Sequence, residues 1–474
     1  MAIDTGVGAQ GKEDEECWPP TVALAEPHVI ETRVGLHRAV WMLAWPSVLT
    51  MLLQTVNSFT DRFFVGHLGS DALAAVGVAG QLMFLLFSVG MSVSVGTTAL
   101  VARFTGAQEP DEATVAANQS VWIAGIASLL CVALMLPLRG AVVAQMHLSA
   151  PAAALCVQYL TLTILGVPAL FLMLILGGVY RGLGDTVTPL LVMLGVNVIH
   201  LGGDFLLIFG NAGFPKLGLP GGALALLCSQ VVGAILYVTF LRRSPVSGLL
   251  TRKRRLEMAW ARRILNIGVP AALQNLSRVL SMLLFTGVLA RTPEATAGVA
   301  ALTIGLTSES IAFMPGFAFS TAASTLTGQN LGAKNPDRAE RAAWAALGQG
   351  LSVMVAMGTV FFIFAPQFAH LFTHDPQVVP LAVAYLRISA LAEPFLGFGM
   401  ILTGALNGAG DTKAPAWASA VTMWGVRLPL AVLLAQTLRY GTVGAWWAMA
   451  ASTVAGGLWA WYLFKRGRWK TVAV

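Results

Sequence analysis

Charge is what this sequence has least of. Asp, Glu, Lys and Arg together make up 11% of its 474 residues, against about a quarter in an ordinary soluble protein. So few charges cannot cover a water-facing surface, which excludes a soluble enzyme, a nucleic-acid-binding module and a secreted domain. Cysteine is also scarce, at four. Cys131, Cys156 and Cys228 lie within apolar runs and Cys17 in a polar stretch, so they read as small packing residues rather than a disulfide framework. A signal peptide is not expected, because residues 1–35 are polar and acidic (Glu13, Asp14, Glu15, Glu16) with no apolar core. That stretch contains a GxGxxG at Gly6, Gly8 and Gly11, followed by Lys12. It has no flanking strand, and Glu13 stands where Ser or Thr would hold magnesium, so no nucleotide site is expected. Neither HExxH nor GxSxG occurs and the connecting loops are short, so an enzyme is not expected either.

What the chain does have is apolar length. Hydrophobic residues make up 56%, with 49 glycines and a mean hydropathy of +0.74, the composition of a polytopic helical membrane protein. A bilayer span needs about 20 apolar residues. That ruler predicts twelve spans, near 41–66, 72–102, 116–138, 153–179, 187–210, 218–241, 264–290, 296–326, 342–365, 379–406, 414–437 and 442–464. The fold class expected is therefore all-α integral membrane, twelve transmembrane helices in two six-helix bundles. The expected organisation is a disordered cytoplasmic tail over 1–38, an N-terminal bundle over 39–241, a basic linker over 242–262 and a C-terminal bundle over 263–474.

Charge placement orients the chain, because cytoplasmic loops retain Lys and Arg. With the N-terminus inside, one face carries about 21 of the basic residues and the other about five, namely Arg62, Arg139, Lys216, Arg291 and Arg439. Both termini are thus expected to be cytoplasmic, with the basic linker serving orientation or contact with anionic lipid. An internal repeat supports the division. A shift of 226 places Gly178 on Gly404, Gly182 on Gly408, Asp185 on Asp411, Pro189 on Pro415, Gly106 on Gly332 and Asp111 on Asp337. Halves with an even number of spans share one orientation, and such architectures put the substrate site between them near mid-membrane.

Six segments resemble the multidrug and toxic compound extrusion (MATE) family of cation-coupled exporters. They are Pro46 and Asp61 in WPSVLTMLLQTVNSFTDRFFVGHLG, RGLGDTVTP at 181–189, NVIHLGGDFLLIFG at 197–210, ESIAFMPGF at 309–317, GQNLGA at 328–333 and NGAGDTKAP at 407–415. They run in family order from about residue 40 to the end. The pattern is nearer the DinF-like branch than the NorM branch, whose members carry an acid early in the seventh span. Here Gln274, Asn275, Ser277 and Arg278 occupy that region.

Four acids fall inside spans: Asp61, Asp204, Glu309 and Glu393. Each costs roughly 2.5–3.5 kcal/mol at the bilayer centre and needs a partner, a cavity or a proton. At 1.5 Å per residue, Asp61 in the first span and Asp204 in the fifth reach a similar depth. Asn197, His200 and Asp204 stand at i, i+3 and i+7, one polar stripe on an apolar helix. That stripe serves either interhelical hydrogen bonding or coupling, and for His200 a packed imidazole is an open alternative. The resemblance implies that Asp61 is a coupling acid and Pro46 the helix-bending proline before it. Arg278 with Glu309, and Arg427 with Glu393, sit at matching depths and are expected to form structural ion pairs. Gln54, Gln274, Arg278, Glu309 and Met314 are candidate chamber residues. His370, His374 and Asp375 have metal-like spacing but fall in a short loop, where solvated histidines are expected and no metal site.

These readings imply an antiporter that exchanges an external cation for amphipathic, often cationic, organic compounds by alternating access. It would work as a monomer in the cell (inner) membrane, with small organic solutes and the bilayer as partners and no cofactor. The coupling ion expected is the proton rather than sodium. The resemblance implies that sodium-binding members complete their site with an Asn one turn before the fifth-span acid and a sixth-span hydroxyl. Those positions here are His200 and, by alignment, Leu226. The alternative is a lipid-linked oligosaccharide flippase of the same wider superfamily.

Overall fold

The computed structural model describes residues 35–251 and 255–472. Residues 1–34, with Cys17 and the glycine motif, lie outside them, as does Lys253 of the basic linker. The described residues form helices and no strand.

The spans are α1 (Leu36–Gly66), α2 (Ser70–Gly106), α3 (Pro110–Ala144), α4 (Ala150–Leu165 continued by Val167–Leu183), α5 (Val187–Leu207) and α6 (Leu219–Leu241). The second half follows with α7 (Met258–Leu289), α8 (Ala295–Gly332), α9 (Pro336–Ile363), α10 (Val378–Gly408), α11 (Lys413–Thr437) and α12 (Gly441–Lys465). All twelve overlap the predicted segments. Nine are long and apolar enough to cross a membrane as single helices, and α4 and α8 qualify as bent pairs. The twelfth, 25 residues long, is less apolar, its sequence interrupted by Gly441, Thr442, Gly444, Ser452, Thr453, Gly456 and Gly457.

The bends have local causes. The two parts of α4 meet at 47° around Gly166, where a Cβ would press on the Gln230 side chain. In α8 the parts meet at 46° near Pro315, which cannot donate to the carbonyl four residues earlier. Over Val421–Arg427 and Val432–Thr437, α11 is wound as a π-helix, a distortion frequent at functional sites.

Within each half the packing repeats: α2 lies on α3 and on the second part of α4, and α8 lies on α9 and on α10. The Ser94 hydroxyl donates to the Leu174 carbonyl at 2.8 Å, and Ser320, its repeat partner, donates to Met400 at 2.9 Å. Between halves, α1 packs on α8, and α2 on both α7 and α8. The tightest crossing is symmetric. A Cβ on Gly106 would collide with the Gln329 carbonyl, and one on Gly332 with the Arg103 carbonyl. Gly106 and Gly332 are repeat partners, as are Arg103 and Gln329, so one backbone contact is made twice.

Cross-half hydrogen bonds among the described residues gather at this end. Thr325 donates to the Arg181 carbonyl (2.9 Å), Gln329 to Gly182 (3.0 Å) and Arg103 to Val472 (3.1 Å). Gln119 bridges the Arg255 carbonyl (2.8 Å) and the Glu257 amide (2.9 Å). Nearer the middle, Thr55 meets Met314 Sδ at 3.8 Å. The halves are thus closed together at the end that carries the start of α1 and the end of α12.

The crossing predicts a sharp contrast between glycines. Gly106→Val and Gly332→Val should each wedge α2 from α8 and strongly reduce transport. Gly125→Val, where nothing lies within 4 Å of the added carbon, should be silent. Transport measured at matched expression checks this, and equal activity of all three would overturn the contact's importance.

Candidate functional site

Two helical stripes face each other where α1 packs on α5. On α1, Leu53, Asn57 and Asp61 are spaced four apart; on α5 stand Asn197, His200 and Asp204. Asn197 Nδ2 donates to the Leu53 carbonyl at 3.2 Å. His200 Nδ1 lies 2.9 Å from Asn57 Oδ1. With that oxygen as acceptor, Nδ1 carries the ring proton, and Nε2 turns its lone pair toward Asp204 Oδ2, 3.6 Å away. Asp61, His200 and Asp204 each offer a ligand atom, all within 4.8 Å of one another. The depth arithmetic thus brought the two acids together.

The stripe is buried: Asp204 is 0% exposed, His200 3% and Asn197 4%. Four of its polar atoms are nevertheless unsatisfied. Both Asp204 carboxyl oxygens, His200 Nε2 and Asn197 Oδ1 have no hydrogen-bond partner among the described residues, although an unpaired buried polar atom costs about 1–3 kcal/mol. Acceptor atoms converging without a donor form a place for a positive charge or a proton. Glycine makes room for it. Across from Asp204 lies Gly222 of α6, whose added Cβ would come 3.6 Å from Oδ1. Gly222 is one turn before Leu226, and at this place α6 presents no hydroxyl to Asp204; its Ser229 hydroxyl donates to the Leu226 carbonyl at 2.7 Å. A hard monovalent ion prefers several oxygen ligands, and this set replaces one with an imidazole.

The second half arranges its charges differently from the sequence-based expectation. Glu309 accepts a hydrogen bond from the Tyr385 hydroxyl at 2.6 Å, and Arg427 Nε donates to Ser452 Oγ at 2.9 Å. Neither Arg278 with Glu309 nor Arg427 with Glu393 forms an ion pair among the described residues, and Arg278 Nε and Glu393 Oε1 are buried without a partner. The ion-pair expectation is therefore corrected. It assumed that α7 and α8, as chain neighbours, pack along their length. They touch only briefly, because α7 lies on α2 and α11 while α8 lies on α10.

The remaining candidates divide. Pro46 is buried within α1, and its carbonyl accepts from Thr50 Oγ1 at 2.8 Å. Gln54 is exposed on α1. Gln274 is buried and donates to Ser419 Oγ at 2.6 Å, so it ties α7 to α11. Met314 sits at the junction of the halves. His370 and His374 are both exposed, as solvated residues should be.

Three residues near these clusters escaped sequence reasoning: Asn57, Tyr159 and Tyr385. Tyr159 is buried close enough to Asp61 and Asp204 to feel both charges. The repeat held the signal, since Tyr159 and Tyr385 are themselves separated by 226 residues and each stands beside the acids of its own half. For Asn57 the signal was its place four residues before Asp61.

The chain as a whole is similar to known proteins. The MatE family profile matches residues 46–206 and 270–433, one segment in each half. A protein from Thermotoga maritima named probable multidrug resistance protein NorM is 30% identical over 441 residues, 91% of this chain and 93% of that one. A Shewanella oneidensis protein named FAD transporter is 27% identical over 444 residues, 91% of this chain and 95% of that one. The solved structure of a multidrug resistance MATE family transporter in an outward-facing conformation superposes with a TM-score of 0.84 at 22% identity, covering 91% of this chain and 97% of that one. The twelve-helix two-lobed fold, the repeated profile and these relatives lead to one conclusion: the chain belongs to the MatE family of multi-pass membrane transporters.

Proposed function

We propose that the protein exports amphipathic organic compounds in exchange for external protons, by alternating access, with the coupling site at Asp61, Asn197, His200 and Asp204. The observation that supports this most is Asp204, fully buried with both oxygens unpaired and aimed at the lone pair of His200 Nε2. A proton arriving there removes a buried negative charge and makes the hydrogen bond that is missing. The site's placement in the N-terminal half follows the DinF-like resemblance. Relief of that charge lets α1 repack about Pro46, the turn that lacks a backbone donor, and favours release of the solute. One relative is named for FAD, so the exported compounds need not all be cations.

The driving force is adequate. One charge crossing 100 mV yields about 2.3 kcal/mol, and at about 1.4 kcal/mol per tenfold that sustains a concentration ratio of about fifty. On this reading the protein acts as a monomer in the inner membrane with both termini in the cytoplasm, and the closed end is the cytoplasmic one. Accumulation of a fluorescent lipophilic solute should fall in cells that express the protein and recover when the proton gradient is collapsed; equal accumulation with and without the protein would overturn export.

Orientation has its own test. Single cysteines at Ser70 and Asp375, both exposed, should react with an impermeant thiol reagent in intact cells, and one at Lys253 should not. Labelling at Lys253 would reverse the topology.

A further inference from the structure

Two arginines of the C-terminal half, Arg278 and Arg427, form no ion pair among the described residues. On α7, Arg278 shares an inward stripe with buried Gln274, Ser281 and Phe285, at i, i+4, i+7 and i+11. On α11, Arg427 shares one with Ala431 and Ala435, both buried. The helices are tied beside these residues, by Trp424 Nε1 donating to Ser277 Oγ at 2.7 Å and Gln274 to Ser419 at 2.6 Å. The π-wound stretch of α11 ends on Arg427. These two ties hold α7 and α11 together at the level of both arginines. Both residues are half-buried, with Arg278 Nε covered. Arg278 makes no hydrogen bond or ion pair among the described residues, and for Arg427 only Nε is engaged. Glu309 of α8 accepts its hydrogen bond from Tyr385.

Paired cations inside a membrane bundle, with their forked donors free, are costly unless something completes them. Guanidinium forks match the two or more oxygens of a carboxylate or phosphate. We propose that Arg278 and Arg427 form a subsite for an anionic group of the transported compound, so that the C-terminal half selects zwitterionic or anionic amphipaths. This rests on the reading of the protein as an exporter of organic solutes and assigns a substrate class to it. A membrane lipid headgroup offers the same oxygen chemistry. The substrate is favoured because both arginines lie on the interior faces of their helices.

The test is binding to purified protein in detergent, followed by fluorescence anisotropy, with a rhodamine that bears a free carboxylate and with its methyl ester. The two dyes differ only in that charge. The free acid should bind at least about tenfold more tightly, the yield of one charge-assisted bidentate contact. R278Q and R427Q should each bring the ratio close to one while leaving affinity for the ester within about twofold. Should a glutamine variant fail to fold, R278K and R427K keep the charge but lose the fork, and should shrink the preference. A ratio near one in the unaltered protein, or a ratio that none of the folded variants changes, overturns the subsite. Phosphatidylglycerol added to the micelles should not displace the acid; displacement overturns the substrate assignment in favour of a lipid headgroup. Because this equilibrium measurement needs no proton gradient, its failure leaves the coupling site untouched, and failure of coupling leaves it standing.

Discussion

Asp204→Asn should abolish uphill export while the protein still folds. An amide resembles the protonated carboxyl in size and polarity, so the substitution holds the site in its proton-loaded form. It also removes the buried charge that has no hydrogen-bond partner in the structure, so stability should be unchanged or slightly raised. Asp61→Asn should behave in the same way, since its carboxylate lies within 4.8 Å of the same cluster. Either variant leaves a downhill path at best: the solute can equilibrate but cannot be concentrated. Inverted vesicles energised to pump protons inward, together with yield and melting temperature in detergent, give both readouts. Full accumulation by Asp61→Asn or Asp204→Asn against a gradient would remove the coupling assignment. Glu393→Gln forms the contrast. Its carboxyl holds no arginine in the structure, so the substitution should leave folding intact and keep proton-driven export measurable.

In proteoliposomes, an imposed pH gradient should drive solute counterflow, and a sodium gradient at equal pH should leave it at background. The geometry behind this is the donor set around Asp204. A dehydrated sodium ion needs several hard oxygen ligands. Beside Asp204 are an imidazole nitrogen at 3.6 Å and, on α6, a glycine in place of a hydroxyl. A proton needs no such shell, and His200 Nε2 offers the lone pair that shares it with the carboxylate. His200→Asn, which exchanges that lone pair for an amide, should weaken proton-driven uptake several-fold or more. Uptake driven by sodium alone in the unaltered protein would end the proton reading.

The paired carboxylates show how far the linear chain could be read. Helix rise and span boundaries alone put Asp61 and Asp204 at one depth, and the i, i+3, i+7 spacing put Asn197, His200 and Asp204 on one face. Both are properties of a single helix in a slab of fixed thickness, so local arithmetic sufficed. The same arithmetic failed for Arg278 and Glu309. Equal depth is necessary for contact but says nothing about which helices are neighbours, and α8 chose α10 over α7. Tyr385, with its hydroxyl on Glu309, entered the cluster by that route.

Composition and hydrophobic length by themselves determined that the chain is a twelve-helix membrane protein in two related halves, because each span must satisfy its own backbone and bury its own apolar face in lipid. The 226-residue repeat matched Gly106 to Gly332 as equivalent positions, and the structure set them at one crossing. Tertiary structure alone decided that the halves close at the end bearing the described chain termini, and that Asn57 sets the histidine tautomer. It also decided that Arg278 and Arg427 form no ion pair among the described residues. Those outcomes depend on how helices rotate and cross one another, which in a bilayer is settled by side-chain packing and interhelical hydrogen bonds rather than by hydrophobicity, and such contacts join residues far apart in the chain.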